Sequence, residues 1–220
     1  MNIHKEGYKP IGFIVIVVLL ILFAVNMIFP DQTIIHLLLY VIAAIFILLV
    51  IRFFRVPFRR VSYQEEDKII SSCDGKVVAI EEVYEKEYFN GKRKQLSIFM
   101  SPLNVHVNWF PVSGKIKYSK HHPGKHYPAY YPKASMLNEM HITVVEDDNG
   151  NEIMIRQIAG IMARRIVCTA TEDIKVRKGE IMGIIKFGSR VDLLLPPESE
   201  VKVKMDQKIM AVVDLIAEIK

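Results

Sequence analysis

Apolar positions along the chain fall into two regimes. From residue 11 to 29 they run unbroken except at Asn26, and from 34 to 51 unbroken except at His36. Neither run has the polar face of a surface helix, and each is long enough to cross a hydrocarbon core of about 30 Å. Pro30-Asp31-Gln32-Thr33 ends one helix and permits an antiparallel second one. The pattern predicts an α-helical transmembrane hairpin within residues 1–60, with spans of about 11–29 and 34–53. A signal peptide would have a shorter apolar core, a small-residue cleavage site and no second span directly behind it.

Beyond residue 60 the apolar runs shorten. Segments 77–80, 95–100, 105–110, 142–145, 153–155, 181–185, 191–195 and 201–203 read as strands. Turns at Asp74-Gly75, Ser101-Pro102, Gly114, Gly150 and Gly179 divide them, with Asp147 to Asn151 forming a hairpin turn. One helix is expected at 158–169 and a helical turn at 134–140. Two prolines make 127–132 a loop. The fold class is mainly β, a compact sandwich or barrel-like body with few short helices over 61–220, preceded by the helical hairpin.

Charge adds an orientation. Lys5 and Lys9 precede the first span, Arg52, Arg55, Arg59 and Arg60 follow the second, and the connecting turn carries only Asp31. The positive-inside rule puts both ends, and the β body, on the cytoplasmic side of the cell membrane. The net charge of +5 suits an anionic lipid surface. No basic stripe with interleaved aromatics points to nucleic acid. Cys73 and Cys168 lack metal-ligand spacing and read as buried free thiols in a reducing compartment. His121, His122 and His126 form a cluster without an acidic or thiol ligand at useful spacing, so no metal site is expected.

Four segments carry candidate chemistry. Ser72-Cys73-Asp74-Gly75 opens a strand with a turn, and a buried carboxylate there is able to orient an imidazole. Ser101-Pro102-Leu103-Asn104-Val105-His106-Val107-Asn108 puts a histidine at the start of another strand. Gln157-Ile158-Ala159-Gly160 leads to Arg164-Arg165, and a guanidinium fork suits carboxylate or phosphate. Gly188-Ser189 joins two apolar runs; on its own it is an ordinary turn pair.

Taken together and in this order, these segments resemble the pyruvoyl-dependent phosphatidylserine decarboxylases. The likeness is to the small, compact branch, whose cleavage segment reads much like Phe187-Gly188-Ser189-Arg190-Val191-Asp192, and it covers nearly all of 61–220. The resemblance implies that the Ser189 hydroxyl attacks the Gly188 carbonyl, that the resulting ester undergoes β-elimination, and that the product hydrolyses to a pyruvoyl group with loss of ammonia. A large chain 1–188 and a small chain 189–220 result. The pyruvoyl group, the implied cofactor, forms a Schiff base with phosphatidylserine in the membrane and releases CO2 and phosphatidylethanolamine.

Asp74 matches the family aspartate that assists self-cleavage. His106 matches the first histidine of the family's Ser-Pro segment. Trp109 stands where long members have a second histidine and cannot act as a base, which leaves His126 as the reserve. Arg164 and Arg165 are the candidate substrate-binding residues. Two alternatives stay open. One is a membrane-anchored biotinyl- or lipoyl-like adaptor with a carrier turn near Met205. The other is a pyruvoyl decarboxylase of a different serine lipid. A homo-oligomer is compatible with either.

Overall fold

A computed structural model describes residues 2–31, 33–129, 137–161, 165–186 and 188–220. The chain divides into two compact units, residues 1–58 and 59–220.

In the first unit, α1 (Tyr8–Ile28) and α2 (Ile34–Phe53) form the hairpin, and short strands β1 (Asn2–Ile3) and β2 (Arg55–Val56) pair antiparallel. Both helices are long and apolar enough to cross a membrane. The polar residues that interrupt the spans are bonded within the unit. Tyr40 OH donates to Asn26 Oδ1 at 2.8 Å, and Asn26 Nδ2 donates to the Leu22 carbonyl at 2.7 Å. His36 accepts the Thr33 N–H at Nδ1, and its Nε2 lies 3.0 Å from the Phe29 carbonyl. That is what a polar group in lipid requires, since no water is there to replace a missing partner.

The second unit is built of strands. They are β3 (Lys68–Ile70), β4 (Gly75–Glu85), β5 (Gly91–Met100), β6 (Val107–Trp109), β7 (Gly114–His122), β8 (Met140–Glu146) and β9 (Glu152–Ala159). After them come β10 (Ile166–Cys168), β11 (Lys175–Val176), β12 (Ile181–Ile185), β13 (Ser189–Leu195), β14 (Glu200–Val201), β15 (Lys208–Ile209) and β16 (Leu215–Glu218). Among the described residues they form one large sheet in the order β11-β7-β8-β9-β13-β5-β4-β15 and two small ones, β10-β12-β6 and β14-β16-β3. Register shifts in β4, between Val77 and Ala79, and in β7, between Ile116 and Tyr118, help the large sheet to curl.

All three sheets contribute side chains to one core, and β13 lies at its centre. Every residue of β13 is buried. Val191, Leu193 and Leu195 face the main core, while Leu194 joins Ile142, Val144 and Met154 on the other face. A strand covered on both faces reads as a largely apolar run; here the one charged residue within 191–195, Asp192, is buried and paired with Arg190.

The expected helix at 158–169 does not form. Ile158 and Ala159 complete β9, and Ile166–Cys168 is strand β10. β9 pairs with β8 on one side and β13 on the other, and that satisfies its backbone in extended form. Of the turn expected at 134–140, residues 134–136 lie outside the described residues and Met140 begins β8. His121 and His122 of the histidine cluster end β7. Cys73 is buried, and burial together with the adjacent Asp74 carboxylate pushes its thiol pKa up. Cys168, expected to be buried, is only partly so.

Candidate active site

The Gly188–Ser189 junction enters the large sheet at the start of β13. Ser189 stands opposite Met100 of β5 and Ala159 of β9, fully buried. Its hydroxyl donates to the Met100 sulfur at 3.3 Å. Gly188 takes φ +63°, left-handed backbone that glycine adopts without steric cost. Gly160 lies under it: a Cβ at Gly160 would strike the Gly188 carbonyl oxygen. The two glycines therefore let the Gly188 carbonyl lie against the end of β9.

His106 reaches the junction from β6's approach. It is fully buried. The Gly188 N–H donates to His106 Nε2 at 3.3 Å, and Nδ1 lies 3.0 Å from the Asn104 carbonyl. These partners select the neutral tautomer with the proton on Nδ1 and a lone pair on Nε2, facing the peptide before the Gly188–Ser189 bond. The backbone is also held, because the Ile185 N–H donates to the His106 carbonyl at 3.2 Å. Asn104 is fixed in turn by the Ser101 N–H and hydroxyl, which donate to its Oδ1 at 2.9 and 2.7 Å. The Ser-Pro segment is thus a rigid turn that aims one imidazole.

Asp74 is not joined to His106. Arg59 Nη1 and Nη2 donate to its two oxygens at 2.5 and 2.8 Å, and the Ala211 N–H donates at 2.9 Å. Arg59 also donates to the Ala211 carbonyl at 3.1 Å and lies over the Trp109 ring, 5.4 Å from its centre. The guanidinium fork and the Ala211 N–H take up both carboxylate oxygens and hold Asp74 on Arg59, away from the imidazole. At the position where long members carry a second histidine, Trp109 packs on the arginine that holds Asp74. The expected aspartate–histidine pair is replaced here by an aspartate–arginine–tryptophan stack.

Arg165 is exposed, and its carbonyl accepts the Lys186 N–H at 3.2 Å, which puts its backbone beside the strand leading to the junction. Arg164 lies outside the described residues. His126 Nε2 lies 3.1 Å from Glu139 Oε2 on the loop side. Arg59, Met100, Asn108, Gln157 and Gly160 were not singled out by pattern. Asn108 belongs to the His106 segment, and Gln157 and Gly160 open the segment read for its arginines. Asp74 and Asn104 also line an open cleft of about 420 Å³, with Lys76 and Lys208 at its wall.

The profile of the phosphatidylserine decarboxylase family matches residues 46–217. The phosphatidylserine decarboxylase proenzyme of Cytophaga hutchinsonii is 47% identical over 218 residues, 99% of each chain. That of Parabacteroides distasonis is 46% identical over 212 residues, 95% of this chain and 94% of its own. That of Phocaeicola vulgatus is 42% identical over 223 residues, 100% of this chain and 96% of its own. The class is therefore an enzyme, a decarboxylase with an apolar helical pair at its N-terminus. Within that class, the chain belongs to the phosphatidylserine decarboxylase family.

Proposed function

We propose that the chain decarboxylates phosphatidylserine to phosphatidylethanolamine, using a pyruvoyl group that it makes from Ser189 by breaking the Gly188–Ser189 bond. One observation carries this reading: a buried, neutral imidazole presents its lone pair to the Gly188 N–H, one residue from a buried serine. The family adds its support, since the relatives are named proenzymes. An adaptor module has no use for such a junction.

The surroundings suit a pyruvoyl group. Ser189 begins a strand hydrogen-bonded on both sides, so the new chain end stays in the sheet after cleavage. Its side chain contacts a thioether and not bulk water. The pyruvoyl ketone supplies an electron sink that no protein side chain offers, which is what loss of CO2 beside an amine requires.

The chain's own residues prepare it. For attack, the Ser189 hydroxyl leaves Met100 by rotation about χ1 and turns to the Gly188 carbon. His106 Nε2 takes the hydroxyl proton and returns it to the Ser189 nitrogen as the C–N bond breaks. Gly160 leaves room for the Gly188 carbonyl oxygen to move as its carbon becomes tetrahedral. Asp74 acts indirectly: clamped by Arg59, it fixes the bend whose Ser72 carbonyl accepts the Trp109 N–H at 2.9 Å, and with it the strand that follows His106. Arg165 beside the junction, and Lys76 and Lys208 in the cleft, supply positive charge for the lipid's anionic groups. The hairpin holds the site at the bilayer, with both ends on the cytoplasmic side.

Intact-mass measurement of the purified protein tests the reading. Two chains, 1–188 and 189–220, are expected, the smaller without a terminal amine, and CO2 release from phosphatidylserine vesicles is expected with them. Ser189→Ala should give one inactive chain. His106→Ala should stall cleavage and His126→Ala should not; the reverse result would move the base to the loop.

A further inference from the structure

Two side-chain amides are shut in the core near Ser189. Asn108 on β6 and Gln157 on β9 are both fully buried. Gln157 Nε2 donates to Asn108 Oδ1 at 2.7 Å. This bond decides which way the Asn108 amide faces. Its oxygen is taken, so its NH2 turns to Met100, whose sulfur lies 3.6 Å from Nδ2. The same sulfur receives the Ser189 hydroxyl. Gln157 Oε1 is buried with no hydrogen-bond partner. A thioether is a weak acceptor. Two amides so poorly satisfied destabilise a core relative to leucines of similar size. Folding does not account for them. An acceptor that appears at the junction during the reaction does.

We propose that Asn108, turned by Gln157, is the hydrogen-bond donor set aside for Ser189 Oγ when that oxygen takes up negative charge. The inference rests on the self-cleavage reading above. After the acyl shift, Oγ is the bridging oxygen of an ester between Gly188 and Ser189. A base then removes the Ser189 α-proton. The released electron pair forms the Cα=Cβ bond, and the Cβ–Oγ bond breaks with its pair on oxygen. That oxygen becomes part of the new Gly188 carboxylate, carrying full charge in a buried site. The Met100 sulfur has no proton to offer. The Asn108 N–H that lies against the same sulfur does, and a neutral amide adds it without adding a titrating group. In the uncleaved conformation the Asn108 NH2 rests on Met100; in the elimination step it acts on the leaving oxygen itself, and Gln157, which turns it, is the positioning residue.

The test uses the full-length chain in detergent, with Asn108→Asp and Asn108→Leu variants. Aspartate keeps the size and the Gln157 bond but, ionised, donates nothing. Intact mass and gels follow cleavage with and without hydroxylamine, which splits esters and leaves ordinary amides. Elimination is expected to slow at least about 100-fold in both variants. The ester should then accumulate, so hydroxylamine should cut the stalled chain at 188/189 and leave a small chain with a free Ser189 amine. Gln157→Leu should show the same signature more weakly, because the amide is then free to flip. If Asn108→Leu loses its fold by circular dichroism, Asn108→Asp carries the test. Normal cleavage in Asn108→Asp, or a stall with no hydroxylamine-sensitive bond, overturns the proposal. A wild-type chain that stays in one piece overturns the reading beneath it instead.

Discussion

Replacing Arg59 with alanine would leave the Asp74 carboxylate without its guanidinium and with one of its present donors, the Ala211 N–H. The two side chains are 11% and 12% exposed, so the pair counts as mostly buried. Removing one partner of a buried pair costs about 3–5 kcal/mol. Two features lower that figure. Asp74 lines an open cleft, from which water is able to reach it, and the Ala211 bond survives. About 2–4 kcal/mol is expected, or a fall in Tm of about 5–12 °C for a unit of this size. The assay is thermal unfolding in detergent on a Ser189→Ala background, which keeps one species. The chain has a single tryptophan, Trp109, and it stacks on Arg59, so its fluorescence reads the clamp directly. Combining Arg59→Met with Asp74→Leu should cost much less than the two single losses added, since a hydrophobic replacement removes both desolvation penalties. A Tm within about 2 °C of the parent for Arg59→Ala, or additive single and double variants, would refute the clamp.

Three further outcomes are expected. Burial, with smaller contributions from His121 and His122, lowers the His141 pKa from 6.5 to about 4. The unfolded chain therefore binds a proton that the folded one refuses, and stability is lost as pH falls from about 6.5 towards 4. At about 1.4 kcal/mol per pH unit the loss reaches at most about 3.5 kcal/mol, and His141→Gln should flatten that acid limb in denaturant titrations; an unchanged limb would exclude His141 as its source. Gly160→Ala should slow self-cleavage at least about tenfold by pushing on the scissile carbonyl, read from band ratios over time; wild-type kinetics would show that the carbonyl has room to move. On a Cys73→Ala, Cys168→Ala background, Asp31→Cys should be labelled from outside intact cells and Ser62→Cys only after lysis, and outside labelling of position 62 would reverse the topology.

Much of the molecule is legible without coordinates. Lipid-length apolar runs have few structural solutions, so the hairpin follows from 11–29 and 34–53 alone, even with Asn26 and His36 inside it. Strands such as Ile181–Ile185 and Ser189–Leu195 announce themselves by their isoleucine and leucine runs, although the second also buries Ser189 and an Arg190–Asp192 ion pair. The order of the four segments identifies the family before any geometry is known. Local pattern misled where both states were apolar. Ile158 to Thr169 mixes alanine, isoleucine and methionine, and only the neighbours β8 and β13 made its first residues a strand. It also passed over β7, whose alternation of Ile116 and Tyr118 with lysines was obscured by the histidines that follow.

Partnerships across the sheets were decided by tertiary structure alone. No spacing rule pairs Arg59 with Asp74, 15 residues on, or Gln157 with Asn108, 49 residues back. A carboxylate next to a glycine looks the same in sequence whether an imidazole or a guanidinium meets it. Hydrogen bonds and close packing are short-ranged, so the partner is set by which strands the fold brings within reach. The sequence by itself determined the hairpin, the β body and the residues at the junction. Only the packed sheets decided that His106 faces Gly188, that Gly160 makes room beneath its carbonyl, and that Asp74 belongs to Arg59.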